Sequence, residues 1–147
     1  MRQSNVMLAF SAGGHHIEMM QIAGAWKGCD VVLATTKRED TKNLNAHFLK
    51  DYGRNPFWLA VNFWQSLSVV IKERPRVIVT TGAGLVVPLC YIGKLFGARV
   101  VFIESFCRVK EPSISGRIMY RIADLFLVQW EENCAFFPKA EYAGSVF

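Results

Sequence analysis

The feature that most constrains this chain is a rhythm of short, unbroken apolar runs, each closed by small or polar residues. Such runs occupy 6–10, 30–35, 76–81, 99–104 and 125–129. Each is too short for an independent helix, and most are rich in β-branched side chains, so each predicts a buried strand. Helical stretches fall between them, over 15–26, 57–74 and 85–96, with a last one ending at 123 behind a Ser113 or Ser115 cap. In the first, Ile17, Met20 and Ala23 or Gly24 recur at helical spacing and predict its core-facing side. Asn55-Pro56 marks the break before the second helix and Pro75 closes it. Pro88 suits the first turn of the third and Gly97 its end. Residues 36–45 read as a loop or an exposed helix start, and 135–147 as an irregular aromatic tail. Continuous apolar strands separated by helices build a parallel sheet covered on both faces. One doubly wound, Rossmann-like, mostly parallel α/β domain over 1–147 therefore accounts for the chain.

At 147 residues and 52% hydrophobic, the chain can bury a full core without disulfide or metal staples, and disorder is excluded. It is too short for an enzyme that closes a cleft between two nucleotide-binding folds. If such a cleft is needed, a second chain must supply the other half. The formal charge of +5 suits anionic partners. The basic residues are scattered, with no RNA-recognition signature, zinc-finger spacing or basic zipper, which favours phosphate or an anionic membrane over nucleic acid. Cys29, Cys90, Cys107 and Cys134 form no CxxC pair and have no histidine at metal-site spacing, so they read as reduced thiols and no metal site is expected. Residues 1–5 are polar and 6–10 too short for a signal core. No run reaches the roughly 20 apolar residues of a membrane span.

Two glycine turns carry the chemistry. Ser11-Ala12-Gly13-Gly14-His15 lies where the first strand gives way to a helix, a place where backbone N–H groups and the helix dipole favour anions. It is neither G-x-G-x-x-G nor a P-loop. A ligand-free βα turn is the plain alternative, but His15, with Glu18 on the next turn, shifts the balance: it is either a base or hydrogen-bond donor at the sheet's carboxyl edge or a satisfied surface histidine. Thr80-Thr81-Gly82-Ala83-Gly84 repeats the arrangement, and the two loops should converge on one edge. Glu104-Ser105-Phe106 ends the next strand at the same edge. Arg117 and Arg121, four apart, should share a helical face, either one that grips pyrophosphate or anionic headgroups or, more commonly, a solvated one.

The helix over 57–74 is unusual. Asn62, Gln65, Ser66, Lys72 and Glu73 form one narrow polar stripe, and most other positions up to 71, including Phe57, Trp58, Phe63 and Trp64, are apolar. The simplest expectation is a helix buried on two sides. A membrane interface or a partner subunit against Trp58, Phe63 and Trp64 is the alternative.

The succession Ser11-Ala12-Gly13-Gly14-His15 with Glu18-Met19, Thr81-Gly82-Ala83-Gly84 with Pro88, Ile103-Glu104-Ser105-Phe106-Cys107-Arg108-Val109, Ser113-Ile114-Ser115-Gly116-Arg117, Val128-Gln129-Trp130 and Phe137-Pro138-Lys139-Ala140 covers nearly the whole chain. It resembles the membrane-associated subunit of two-subunit UDP-sugar glycosyltransferases. It is similar to the anchor subunit of the N-acetylglucosaminyltransferase of dolichol-linked glycan assembly, and closer in size to bacterial PssD-type subunits of polysaccharide (exopolysaccharide or capsule) biosynthesis.

The resemblance implies the N-terminal half of a GT-B glycosyltransferase, inactive alone. A separate donor-binding subunit would hold the UDP-sugar, with no further cofactor, and the acceptor would be a lipid-linked saccharide. The eukaryotic members carry an amino-terminal span that this sequence does not show. Peripheral attachment to the cytoplasmic face of the plasma membrane is therefore the expectation. By position, Gly13 and Gly14 would sit near the acceptor pyrophosphate, with Ser11, Gly82 and Gly84 completing the substrate-binding loops. His15 would act as base. Glu104 would bind the acceptor or support His15, and Arg108 and Arg117 would bind phosphate. A non-catalytic scaffold for a self-sufficient transferase and an independent nucleotide-binding module are the competing expectations.

Overall fold

A computed structural model describes residues 5–147. Residues 1–4, most of the polar start where no signal is expected, lie outside them. Seven strands, β1 Asn5–Ala9, β2 Asp30–Thr35, β3 Ala46–Phe48, β4 Val77–Thr80, β5 Arg99–Ile103, β6 Leu125–Val128 and β7 Glu141–Tyr142, form one sheet in the order β3-β2-β1-β4-β5-β6-β7. Every pairing is parallel. The five predicted strands are its five central ones. The two additions are the edges β3 and β7, which are two or three residues long and expose more of their side chains. Short edge strands limit the unpaired backbone a sheet presents to other chains, and they leave no apolar run to read.

Four α-helices connect the strands: α1 Gly14–Ile22, α2 Pro56–Glu73, α3 Val87–Leu95 and α4 Ile114–Met119. The Asn55 side chain caps α2 by accepting from Phe57 N at 2.9 Å, with Pro56 in the first turn. Ser113 caps α4 by accepting from Gly116 N at 2.8 Å. That helix stops at Met119 and dissolves into turns, short of the expected 123, so Arg117 and Arg121 do not share a helical face.

The alternation of β1 divides the core. Met7 and Ala9 face Val69 and Val70 of α2, Leu89 of α3 and Met119 of α4. Val6, Leu8 and Phe10 face the other way, onto Met19 of α1 and, from neighbouring strands, Val79 and Ile103. All five β1-run side chains, Val6 to Phe10, are buried. Each contributes about 1.5–3 kcal/mol if large and aliphatic or aromatic, which makes β1 the keel of the domain.

Helix α1 turns the opposite face to the core from the one predicted, and α2 buries its polar stripe instead of both sides. On α1 the buried residues are Glu18 and Met19, while Ile17 and Met20 are exposed. On α2 the buried residues are Asn62, Ser66, Val69 and Val70, while Phe57, Trp58, Phe63 and Trp64 face outward, Trp64 at 66% exposure. The expectation of a helix buried on two sides is therefore corrected. The cause lies in hydrogen bonding. Asn62 Nδ2 donates to the carbonyls of Lys50 at 2.8 Å and Leu85 at 3.0 Å. Ser66 donates to Asn62 Oδ1, and Gln65 Oε1 accepts from Lys50 N at 2.7 Å. The polar stripe ties the exit of β3 to the turn after β4, and buried carbonyls need such partners.

Candidate functional site

In a doubly wound sheet the crevice opens where the strand order reverses, beyond the carboxyl ends of the strands. Here that point lies between β1 and β4, which are neighbours although the chain leaves β1 toward β2 and β4 toward β5. The two glycine turns follow these two strands. They do converge: Thr81 Oγ1 donates to the His15 carbonyl at 3.0 Å, and Gly82 packs beside the His15 ring.

A cavity of about 660 Å³ opens there, lined by Gly14, His15 and Glu18 of α1, Ala83 after β4, Ser105, Cys107 and Arg108 after β5, and the Ser113–Ser115 turn. Of the predicted site residues, Gly14, His15 and Arg108 line it. Ser11, Gly13, Gly82, Gly84, Glu104 and Arg117 do not. Gly82 packs against His15 and Ser115 of the wall, whereas Gly84 meets Tyr52, whose hydroxyl donates to its carbonyl at 2.7 Å. Gly82 has φ 106°, and Ala83 between them is itself left-handed at φ 92°. Such backbone strain in a non-glycine residue persists only where its surroundings hold it.

The first glycine turn is already occupied by the protein. Gly13 N donates to Asp40 Oδ2 at 2.7 Å and Ala12 N to Thr36 Oγ1 at 3.0 Å. Asp40 also meets His16 Nδ1 at 3.3 Å, and His16 stacks on Phe10, so the second histidine faces away from the cavity. The Gly13 amide holds the Asp40 carboxyl below its usual range, with the His16 contact adding to the effect.

Glu104 is at the strand end where the sequence puts it, but its carboxylate serves the next turn. Oε1 accepts from Ser105 N at 3.0 Å and Ser113 Oγ at 2.7 Å, and Oε2 accepts from Ser113 N at 3.1 Å. It is buried and fixes the capped start of α4. Gly116 is required there, since a side chain at 116 would collide with this carboxylate. Arg117 is exposed on α4 away from the cavity wall, whereas Arg108 is exposed on it.

Sequence reading set the second carboxylate, Glu18, beside His15 but assigned it no contact of its own. It is 3% exposed and lies in the cavity wall. Its Oε1 accepts from Ser105 Oγ at 2.8 Å and Phe106 N at 3.1 Å. Glu18 Oε2 and His15 Nδ1 are buried with no hydrogen-bond partner among the described residues. The Ser105, Ser113 and Ser115 hydroxyls were also missed as wall residues. The available signal was their position at strand and helix ends on the carboxyl edge.

The outward face of α2 is a second surface of note. Phe57 meets Trp58 and Phe63 meets Trp64 there in edge-on ring pairs, and Lys50 Nζ lies 4.2 Å from the Trp58 ring centre. No helix among the described residues is long and apolar enough to cross a membrane.

The family "Oligosaccharide biosynthesis protein Alg14 like" matches residues 49–146. The UDP-N-acetylglucosamine transferase subunit ALG14 of Homo sapiens is 24% identical, over 97% of this chain and 82% of its own length. The same-named subunit of Debaryomyces hansenii is 30% identical, over 98% of this chain and 77% of its own length. Among solved structures, MurG of Acinetobacter baumannii superposes with a TM-score of 0.69 at 16% identity, covering 85% of this chain and 41% of that one. The UDP-GlcNAc 2-epimerase of Methanocaldococcus jannaschii gives 0.75 at 15% identity, covering 96% and 45%. The chain thus spans less than half of each of these two solved proteins, and the likeness is one of fold.

Proposed function

Because the chain belongs to the Alg14-like family of oligosaccharide biosynthesis proteins, we propose that it is the acceptor-side subunit of a two-component glycosyltransferase. The reaction moves a sugar from a UDP-sugar to a lipid-pyrophosphate-linked saccharide, with inversion, in polysaccharide or lipid-linked oligosaccharide assembly. A separate subunit, equivalent to the other half of a GT-B enzyme, binds the donor. The observation that carries this reading is the one-sided cavity at the switch point: a built wall at the carboxyl edge of a fold whose solved relatives are more than twice as long.

In this reading the acceptor saccharide lies against α1 and the Ser113–Ser115 turn. His15, in the cavity wall, receives the proton of the attacking hydroxyl. As the acceptor oxygen bonds to the anomeric carbon, the bond to the UDP oxygen breaks and its electron pair leaves with UDP. Arg108 is the cation at the wall for the acceptor's phosphate. The Gly13 amide serves phosphate only if Asp40 withdraws. The aromatic face of α2 lies in the membrane interface at the cytoplasmic surface, where tryptophans anchor and Lys50 meets anionic headgroups.

A tagged pull-down from detergent-solubilised native membranes tests the reading. Stoichiometric recovery of a second glycosyltransferase-like chain, with UDP-sugar-dependent transfer by the pair, is expected. Recovery of this chain alone from the soluble fraction would overturn it. His15→Ala in the assembled pair separates catalysis from scaffolding, since a scaffold keeps full activity.

A further inference from the structure

The cavity wall contains a buried carboxylate that the proposed chemistry does not use. We propose that Glu18 is a sugar-binding subsite. It accepts a hydroxyl or amide hydrogen from an uncharged sugar of the acceptor, and it selects against an anionic sugar at that place. The inference rests on the reading of the cavity as a saccharide site and names the chemistry it selects.

Three observations carry it. His15 and Glu18 sit three apart on α1, on one face, and both line the cavity. Glu18 Oε1 is committed to Ser105 Oγ and Phe106 N, so the side chain is held in one orientation while Oε2 has no donor. A carboxylate only accepts hydrogen bonds, and one left unpaired when buried is costly, so a ligand that brings an O–H or N–H is favoured and one that brings a negative charge is not. Glu104 cannot take this part, since both its oxygens are bound by Ser105 and Ser113. The rest of the wall agrees. Ser105, Ser113 and Ser115 present hydroxyls, and its one cation is Arg108.

The test is an NMR titration of the ¹⁵N-labelled full chain with methyl β-D-glucoside and with methyl β-D-glucuronide. The glucoside should shift the amides of Glu18, Ser105 and Phe106, and the glucuronide should bind the unaltered chain about tenfold more weakly or worse. Glu18→Gln keeps an oxygen for Ser105 and Phe106 but puts an amide donor in place of Oε2. It should weaken the glucoside about tenfold and narrow the gap between the two glycosides. Equal binding of both glycosides by the unaltered chain, unchanged glucoside affinity in Glu18→Gln, or no glucoside response at these amides would each overturn the inference. The glycoside pair on the unaltered chain needs no variant to fold. The titration also needs no partner, so its failure is distinct from the failure of the pull-down.

Discussion

Gly82 lies against the His15 ring across the boundary between β1 and β4: a Cβ at 82 would stand 3.3 Å from His15 Cε1. The turn after β4 thereby sets where the histidine of the turn after β1 can go. Gly82 also holds φ 106°, which disfavours any side chain. Gly82→Ala should cost about 1–3 kcal/mol in stability, measured by urea unfolding. It should also lower transfer by the assembled pair more than its effect on folding explains, because His15 is displaced. Unchanged activity in a folded Gly82→Ala protein would show that the histidine's placement does not matter.

The inverted α2 makes a second, opposite pair of expectations. Asn62 is fully buried and satisfies two carbonyls, so Asn62→Ala should destabilise by about 1–3 kcal/mol despite removing a polar group from a greasy helix. Trp64, largely exposed, should tolerate Ser within about 0.5 kcal/mol. The triple change Trp58, Phe63 and Trp64 to Ser should instead reduce co-sedimentation with vesicles containing anionic lipid. Equal stability losses for Asn62→Ala and Trp64→Ser would contradict the observed orientation.

These two cases mark the limits of what the sequence revealed. The five central strands, the break before α2, the serine cap of α4, and the convergence of the two glycine turns were legible because buried strands, breaks and caps depend on local pattern. The phases of α1 and α2 were not. Periodicity assigns the apolar side to the core, and it fails where uncharged Asn62 and Ser66 answer buried carbonyls and where Glu18 reaches across to Ser105. The clue was present in the kind of polar residue, since the stripe's middle holds amides and a hydroxyl while its charges, Lys72 and Glu73, sit at the helix end. At the site, sequence placed Glu104 correctly at a strand end but could not tell which carboxylate is consumed by its own turn. That depends on Ser113, nine residues on, and on Gly116, whose missing side chain makes room.

The four thiols are free, and they should differ sharply in reactivity. Cys107 is exposed and lines the cavity, whereas Cys90 is fully buried, and burial pushes its thiol up to about 12. Only thiolate is alkylated at a useful rate. Iodoacetamide at pH 8 should modify Cys107 first and leave Cys90 untouched until the chain unfolds, as peptide mass mapping would report. Modification at Cys107 should also reduce glucoside binding, since the added group enters the cavity. Cys107→Ser should remove that sensitivity.

Asp40 ties the first glycine turn to the loop after β2, and its contribution should vanish in acid. Its carboxyl is held below the ordinary value of 3.8, first by the Gly13 amide and then by His16. A carboxyl lowered on folding stabilises the folded state in its charged form. The stabilisation is fully present above 3.8 and is lost as pH falls through the lower folded value. The stability difference between the natural chain and Asp40→Asn should therefore shrink as pH falls below 4. His16 makes a further distinction: its ring nitrogen lies 3.3 Å from the carboxylate and adds to the lowering, so His16→Ala should move the folded Asp40 value back toward 3.8 without abolishing the shift. Carboxyl ¹³C titration of Asp40 in both proteins measures this. An Asp40 that titrates at its ordinary value in the natural chain would show that the Gly13 amide is free, leaving the first glycine turn open to phosphate after all.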